Sequence, residues 1–303
     1  MPKRSLRIII YIIILGIIFY FMAKYFYTNW HKVPFNQLRF NYWFLALSYL
    51  IWFIGFPFNA YIWKKNIEII GEKISFIQGL RITALAALPR YIPGRIWGIA
   101  GQVYLTKKEG AIPGSKSGVG VILGTAVNTL SGILLFVIIF PLTQHSYLTK
   151  TYYLMFLLIP LLLIMLYPPL FIKIVNFGLK ILKRDKITFI PKYSQIIFLL
   201  ILYTLLWISQ CVGIYFLIKS FYQIRLSFLL PLCAIYPAAW VIGFLSLISP
   251  GGVGIREGVL SYLFNFYMPT SIGIITSILI RIWGTIGEII TFLIFAKSLR
   301  KYI

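Results

Sequence analysis

Residues 227–267 read SFLLPLCAIYPAAWVIGFLSLISPGGVGIREGVLSYLFNFY, and this stretch decides the fold class. It is apolar for longer than the roughly 20 residues that a bilayer-spanning helix needs. Yet Pro250-Gly251-Gly252 interrupts it, and a helix does not run through such a triplet. Proline lacks the N–H that the helical ladder uses, and glycine frees the backbone to turn. An apolar segment broken in this way marks a discontinuous or re-entrant membrane helix. Residues 74–106 repeat the pattern around Pro93-Gly94, with flanking pieces, 74–89 and 96–106, too short for ordinary spans.

The composition excludes a water-soluble protein. Of 303 residues, 60% are hydrophobic and only 12% charged, against about 25% charged in a soluble domain. Mean hydropathy is +0.89. The formal net charge of +23 does not point to nucleic acid, because the basic residues sit between apolar runs rather than on a patterned surface. Anionic lipid headgroups and the positive-inside effect account for them. The acids are Glu68, Glu72, Glu109, Asp185, Glu257 and Glu288, and only the last two fall inside apolar segments. His31 and His145 lie in loops, and Cys211 and Cys233 within apolar stretches, so neither a disulfide framework, a metal site nor a cofactor is expected. Trp30, Trp43, Trp63 and Tyr147 fall near span ends and read as interfacial anchors.

The chain reads as an all-α polytopic membrane protein, a single integral membrane domain over 1–303. Residues 1–30 form a signal-anchor helix, with Lys3, Arg4 and Arg7 preceding the apolar run 8–21 and no cleavage site after it. Further spans are expected at 42–62, 118–141, 151–172, 194–218 and 270–296. If each broken region enters and returns to one side, there are six full spans and both termini are cytoplasmic. Cytoplasmic loops then hold 18 Lys and Arg against six outside, as the positive-inside rule asks. Whether each broken region is a shallow hairpin or a pair of short full spans leaves this parity unchanged. No soluble domain is expected at either end.

An internal repeat follows. Span 42–62, Ile74-Ser75-Phe76, the Pro93 break, Arg95 and span 118–141 make a first unit, 42–141. Span 194–218, Leu226-Ser227-Phe228, the Pro250 break, Arg256 and span 270–296 make a second, 194–296, with 151–172 linking them. The two broken regions enter from opposite sides, so the repeat is inverted, a recurrent transporter design.

Arg81, Arg90, Arg95, Arg256 and Arg281 fall within apolar regions, where a cation needs a partner or a wet cavity. Arg81 and Arg90 read as snorkelling to an interface. Arg95 and Arg256 follow the Pro-Gly breaks, where unpaired N–H groups at a half-helix start add to the guanidinium charge, so two facing starts suit a phosphate. Glu257 is expected to pair with an Arg of the other hairpin, and Arg281 with Glu288, seven residues on, through a neighbour. A coupling proton on one of these acids is the sharper alternative. With Arg95 and Arg256, the residues Gly94, Gly251, Gly252, Gly254, Arg90, Glu257, Arg281 and Glu288 make up the expected substrate-binding set. Gly120, Gly124, Gly284 and Gly287 read as close-packing positions between helices.

The segment Ser249-Pro250-Gly251-Gly252-Val253-Gly254-Ile255-Arg256-Glu257-Gly258-Val259-Leu260 resembles the signature of the lysylphosphatidylglycerol synthase transmembrane (flippase-like) family. Arg90-Tyr91-Ile92-Pro93-Gly94-Arg95 and Arg281 within Leu279-Ile280-Arg281-Ile282-Trp283 fall where that family also has features, and the resemblance runs over about 40–296. It implies a membrane protein that moves or handles anionic lipids. The multiple peptide resistance factors of that family are thought to flip aminoacylated phosphatidylglycerol, and other members are fused to glycosyltransferases acting on polyprenyl phosphate. This chain is expected to carry neither synthase nor glycosyltransferase domain. The leading expectation is thus a transporter of polyprenyl phosphate or an anionic or aminoacylated phospholipid, located in the cytoplasmic membrane, with Arg95 and Arg256 on the phosphate. The alternative is a non-transporting membrane partner that holds a lipid for a separate synthase or glycosyltransferase. A membrane-embedded enzyme is disfavoured.

Overall fold

The computed structural model describes Tyr20 and residues 39–91, 96–143, 154–165, 167–181, 191–246, 252 and 254–296. Among these there are helices and no strand: α1 (Tyr42–Ile69), α2 (Phe76–Ala87), α3 (Ile96–Gly110), α4 (Gly114–Thr143), α5 (Leu158–Met165), α6 (Pro168–Ile181), α7 (Tyr193–Lys219), α8 (Leu229–Leu245), α9 (Ile255–Phe264) and α10 (Thr270–Ala296). Short 3-10 turns, Leu88–Tyr91, Leu154–Leu157 and Leu226–Phe228, follow α2 and precede α5 and α8. The all-helical membrane architecture expected from the sequence is therefore present. Apart from Tyr20, the signal-anchor run 8–21 lies outside the described residues.

Five segments are long and apolar enough to cross a membrane: Tyr42–Ile69, Gly114–Thr143, Tyr193–Lys219, Leu226–Leu245 and Thr270–Ala296. Two expectations change. Leu226–Leu245, assigned to a broken region, is 20 residues long, so the first limb of that region is itself of span length. The linking span 151–172 is not one helix: Met155–Ile164 and Pro168–Ile174 diverge by 77°. Pro168 and Pro169 are the cause. A proline disfavours helical geometry in the residue before it and suits the first position of a new helix.

Both broken regions are hairpins. Gln78, in the first turn of α2, donates from Nε2 to the carbonyl of Glu109 near the end of α3. Arg81 Nη1 stands 3.6 Å from Glu109 Oε2. In the second region the Phe228 ring, just ahead of α8, packs 6.0 Å from Phe264 and 5.5 Å from Tyr267, at and beyond the end of α9. Each chain thus returns to the end from which it set out. The Glu109 side chain, outside the apolar segments in sequence, is only 6% exposed, and Arg81 is tied to it. The pairing follows from the hairpin, which lays the helix carrying one against the helix carrying the other.

A pair of helices shorter than the 27–30-residue helices that flank it occurs twice, in α1–α4 and in α7–α10. The packing respects the correspondence: α1 lies along its counterpart α7, α4 packs on α8, and α10 packs on α2. α1 and α7 run antiparallel. Asn41 N donates to Ser220 O at 2.6 Å at one end, and Asn66 Nδ2 donates to the Tyr203 hydroxyl at 2.8 Å toward the other. Burying an amide and a phenol together satisfies two polar groups that lipid would leave unpaired.

Lipid is as apolar as a leucine side chain, so helix association rests on close packing rather than on hiding apolar surface. Gly287 provides the tightest instance: a Cβ there would stand 2.5 Å from the Trp52 ring. Gly120 lies against Ile67 and Trp63, and Gly124 against Tyr203 and Asn66. Gly284, expected to pack in the same way, does not; a Cβ there would meet nothing within 4 Å. Trp63 is also reassigned, being buried (4%) in the core rather than anchoring at an interface, whereas Trp43 is exposed. The two glycines of α10 give a paired expectation. Gly287→Ala lowers stability by about 1–3 kcal/mol through overpacking. Gly284→Ala is neutral, or gains up to about 1 kcal/mol from helix propensity. Thermal unfolding of the two purified variants in one detergent checks the order; equal melting temperatures would refute it.

Candidate functional site

A cavity of about 240 Å³ lies where the two units meet. It is walled by Trp52, Gly55, Phe56 and Asn59 of α1 and by Leu206, Ser209 and Gln210 of α7. Thr83 and Ala87 near the end of α2 close one side, and Tyr236, Trp240, Gly243 and Phe244 of α8 with Arg256 of α9 close another. Ile280, Arg281, Trp283, Gly284, Thr285, Glu288 and Thr291 of α10 complete it. These stretches sit near the middle of α1, α7 and α10, so the space is at mid-length of the long helices. The last turns of α2 and α8 and the first turn of α9 therefore border one cavity.

The tip of the second hairpin is built on glycine. Gly252 has φ +71°, and a Cβ there would stand 2.9 Å from the Gly243 carbonyl oxygen. Gly254, φ +87°, is the N-cap of α9. Both conformations belong to the left-handed region that L side chains rarely adopt. A Cβ on Gly243 would in turn lie 2.9 Å from Arg256 Cβ, so the end of α8 and the start of α9 touch backbone to side chain. That contact fixes where the Arg256 guanidinium goes. It lies 5.0 Å from the centroid of the Tyr236 ring, a cation–π contact that holds the charge beside an aromatic ring. Trp207 meets Tyr236 and Trp240 edge-on, and Trp240 stacks on Phe244, so the platform beneath the arginine is locked.

Among the described residues the arginine that meets Glu257 is Arg281, and the side chains of Arg90 and Arg95 in the other hairpin lie outside them. Glu257 Oε1 stands 3.6 Å from Nη1 of Arg281 on the last long helix, with the two side chains 1% and 9% exposed. Its Oε2 accepts from Gly254 N at 2.6 Å. The start of α9 is thus capped by its own third residue, an arrangement that satisfies an orphan N–H internally. Of the N–H groups expected at this helix start, that of Gly254 is therefore already taken by Glu257. What reaches the cavity from α9 is the guanidinium of Arg256, and among the described residues no carboxylate pairs with it.

Of the residues singled out in the sequence, Arg256, Arg281 and Glu288 line one cavity, and Glu257 lies directly behind it. Gly252 and Gly254 shape the turn that presents Arg256. Gly94, Arg95 and Gly251 lie outside the described residues, as does the side chain of Arg90, whose backbone forms part of the 3-10 turn Leu88–Tyr91. Among the described residues no cluster of His, Cys, Asp and Glu could hold a metal ion. Cys211 and Cys233 are both free and buried.

The family model described as "Lysylphosphatidylglycerol synthase TM region" matches residues 7–290. The chain belongs to this family. No curated protein matches it. For a member of the lysylphosphatidylglycerol synthase TM-region family, a multi-pass membrane protein is what the five span-length helices provide, and the lipid connection is that of the family. Sequence reasoning missed the polar residues Asn59, Ser209, Gln210 and Thr285 of this member's cavity. Their signal was present: an amide in the middle of an apolar span is costly in lipid and faces a partner helix or a wet space.

Proposed function

We propose that the protein is a flippase-like carrier for an anionic lipid of the cytoplasmic membrane, polyprenyl phosphate or an anionic or aminoacylated phospholipid. The observation that carries this reading is the shared cavity at mid-length of the bundle, with Arg256 presented on its wall. A charged headgroup is the part of a lipid that cannot cross hydrocarbon unaided, and a guanidinium offers a phosphate two parallel donors. The volume supports a headgroup and not a whole lipid, since pockets that enclose drug-sized ligands run about 300–1,000 Å³. The tails then stay in the bilayer while the headgroup passes between Trp52, Phe56, Trp240 and Phe244. Two units, each contributing helices of its hairpin to the cavity wall, can rock so that the cavity faces one side and then the other. In this reading the hairpins are re-entrant, the basic ends of α1 and α3 face the cytoplasm, and the chemistry is transport rather than bond making.

The test is reconstitution into liposomes containing a fluorescent polyprenyl phosphate or, separately, a fluorescent phosphatidylglycerol, with a quencher added outside. Accelerated crossing is expected for one of them. Gly284→Leu is the matched control, because it fills the cavity from a position with free space and alters no charge; it is expected to slow crossing at least tenfold while the protein stays folded. Tight binding with no acceleration would replace the carrier reading with the partner reading, a protein that holds lipid for a separate enzyme. No binding of either lipid would remove both.

A further inference from the structure

Helix α6 follows the bend at Pro168, and its side chains divide into three stripes. Leu170, Ile174 and Phe177 are exposed, while Phe171 and Ile172 are buried in the core cluster built around α4 and α7. Lys173, Asn176 and Lys180 form the third stripe, at spacings of three and four that put them on one side of a helix. An apolar arc, part of it on the protein and part of it free, beside a narrow basic arc is the pattern of a helix lying in a membrane interface.

The position of α6 agrees. The Tyr167 ring, one residue ahead of α6, is 6.4 Å from the Tyr193 ring at the start of α7. That end of the bundle is the basic one: Ser194 and Gln195 of α7 share a surface pocket with Lys65 at the end of α1, and the ion pair of Lys116 with Glu72 joins the start of α4 to the same level. The chain has thus reached the basic end before α6 begins. A 77° change of direction there turns the helix off the line of the segment before it. Lys183, Arg184 and Lys186 follow in the sequence.

We propose that α6 lies in the headgroup layer at the basic end of the bundle and gathers anionic lipid there. Leu170, Ile174 and Phe177 dip into the acyl region, and Lys173 and Lys180 hold the headgroups of acidic lipids. The site is separate from the cavity, and its test does not depend on transport.

Phe177→Cys and Lys180→Cys carry an environment-sensitive dye in the full-length protein in nanodiscs; the native cysteines are buried. Iodide in the water is expected to quench the dye at position 180 at least fivefold more than at 177. Brominated phosphatidylglycerol is expected to quench position 177 several-fold more than brominated phosphatidylcholine at the same content. Lys173→Glu with Lys180→Glu removes that preference, and so does raising salt from about 0.1 to about 1 M, which keeps the test open if the double variant fails to fold. Equal iodide quenching at 177 and 180 would overturn the interfacial placement. Equal quenching by the two lipids would overturn the gathering of anionic lipid.

Discussion

Arg281→Ala is expected to lower the stability of the folded protein by about 3–5 kcal/mol, the usual cost of removing one partner of a buried ion pair. The variant leaves the Glu257 carboxylate, 1% exposed and 3.6 Å from the lost guanidinium, without that countercharge. Glu257 cannot swing away to water without releasing Gly254 N, which it holds at 2.6 Å. The α9 start and the last long helix therefore come apart together. Replacing both partners distinguishes the electrostatic account from a simple loss of packing. Glu257→Gln with Arg281→Met keeps an oxygen acceptor for Gly254 and fills the same space without charge. Paired replacements of this kind are neutral or stabilising in other buried pairs. The expected order of melting temperature places the double variant near the parent and Arg281→Ala far below it. An Arg281→Ala protein that melts with the parent would show that the pair contributes nothing.

The second large effect is on transport. Arg256→Ala is expected to slow lipid crossing by about thirtyfold or more, taking about 2–5 kcal/mol for a desolvated charge pair that loses one partner. Stability should change little, because Arg256 is only partly buried and its neighbour Glu257 is neutralised by Arg281 instead. Arg256→Lys separates charge from shape. Lysine keeps the positive charge but gives up the guanidinium contact with the Tyr236 ring and the two parallel donors, so intermediate crossing is expected. The liposome assay with equal protein recovery measures all three. Crossing by Arg256→Ala at the parent rate would remove the arginine from the headgroup path.

The sites of these two effects were legible in the sequence to different degrees. Arg256, Glu257, Arg281 and Glu288 stood out because charge inside an apolar run is expensive wherever the helix ends up. The pairing among them was not legible. An arginine of the first hairpin was as reasonable a partner for Glu257 as Arg281, and the 24 positions separating Glu257 from Arg281 carry no periodic signal. Arg81 with Glu109 makes the same point, since a hairpin brought together a residue assigned to an interface and an acid outside the apolar segments. Gly284 and Gly287 show the limit most sharply. They are one turn apart on α10 and alike in sequence, yet one is pressed against Trp52 and the other opens onto the cavity.

By itself the sequence determined the membrane class, four of the five span-length helices, the two breaks and the family, because each rests on a local property. Hydropathy over about 20 residues decides whether a segment prefers lipid, and proline and glycine set the backbone wherever they occur. The tertiary structure alone decided which charges meet, where the cavity lies and which glycine is packed. A helix in lipid is apolar around its whole circumference, so the periodicity that marks the inner face of a soluble helix is largely absent here. Its rotation and depth are fixed instead by side-chain packing and by the few polar contacts between helices.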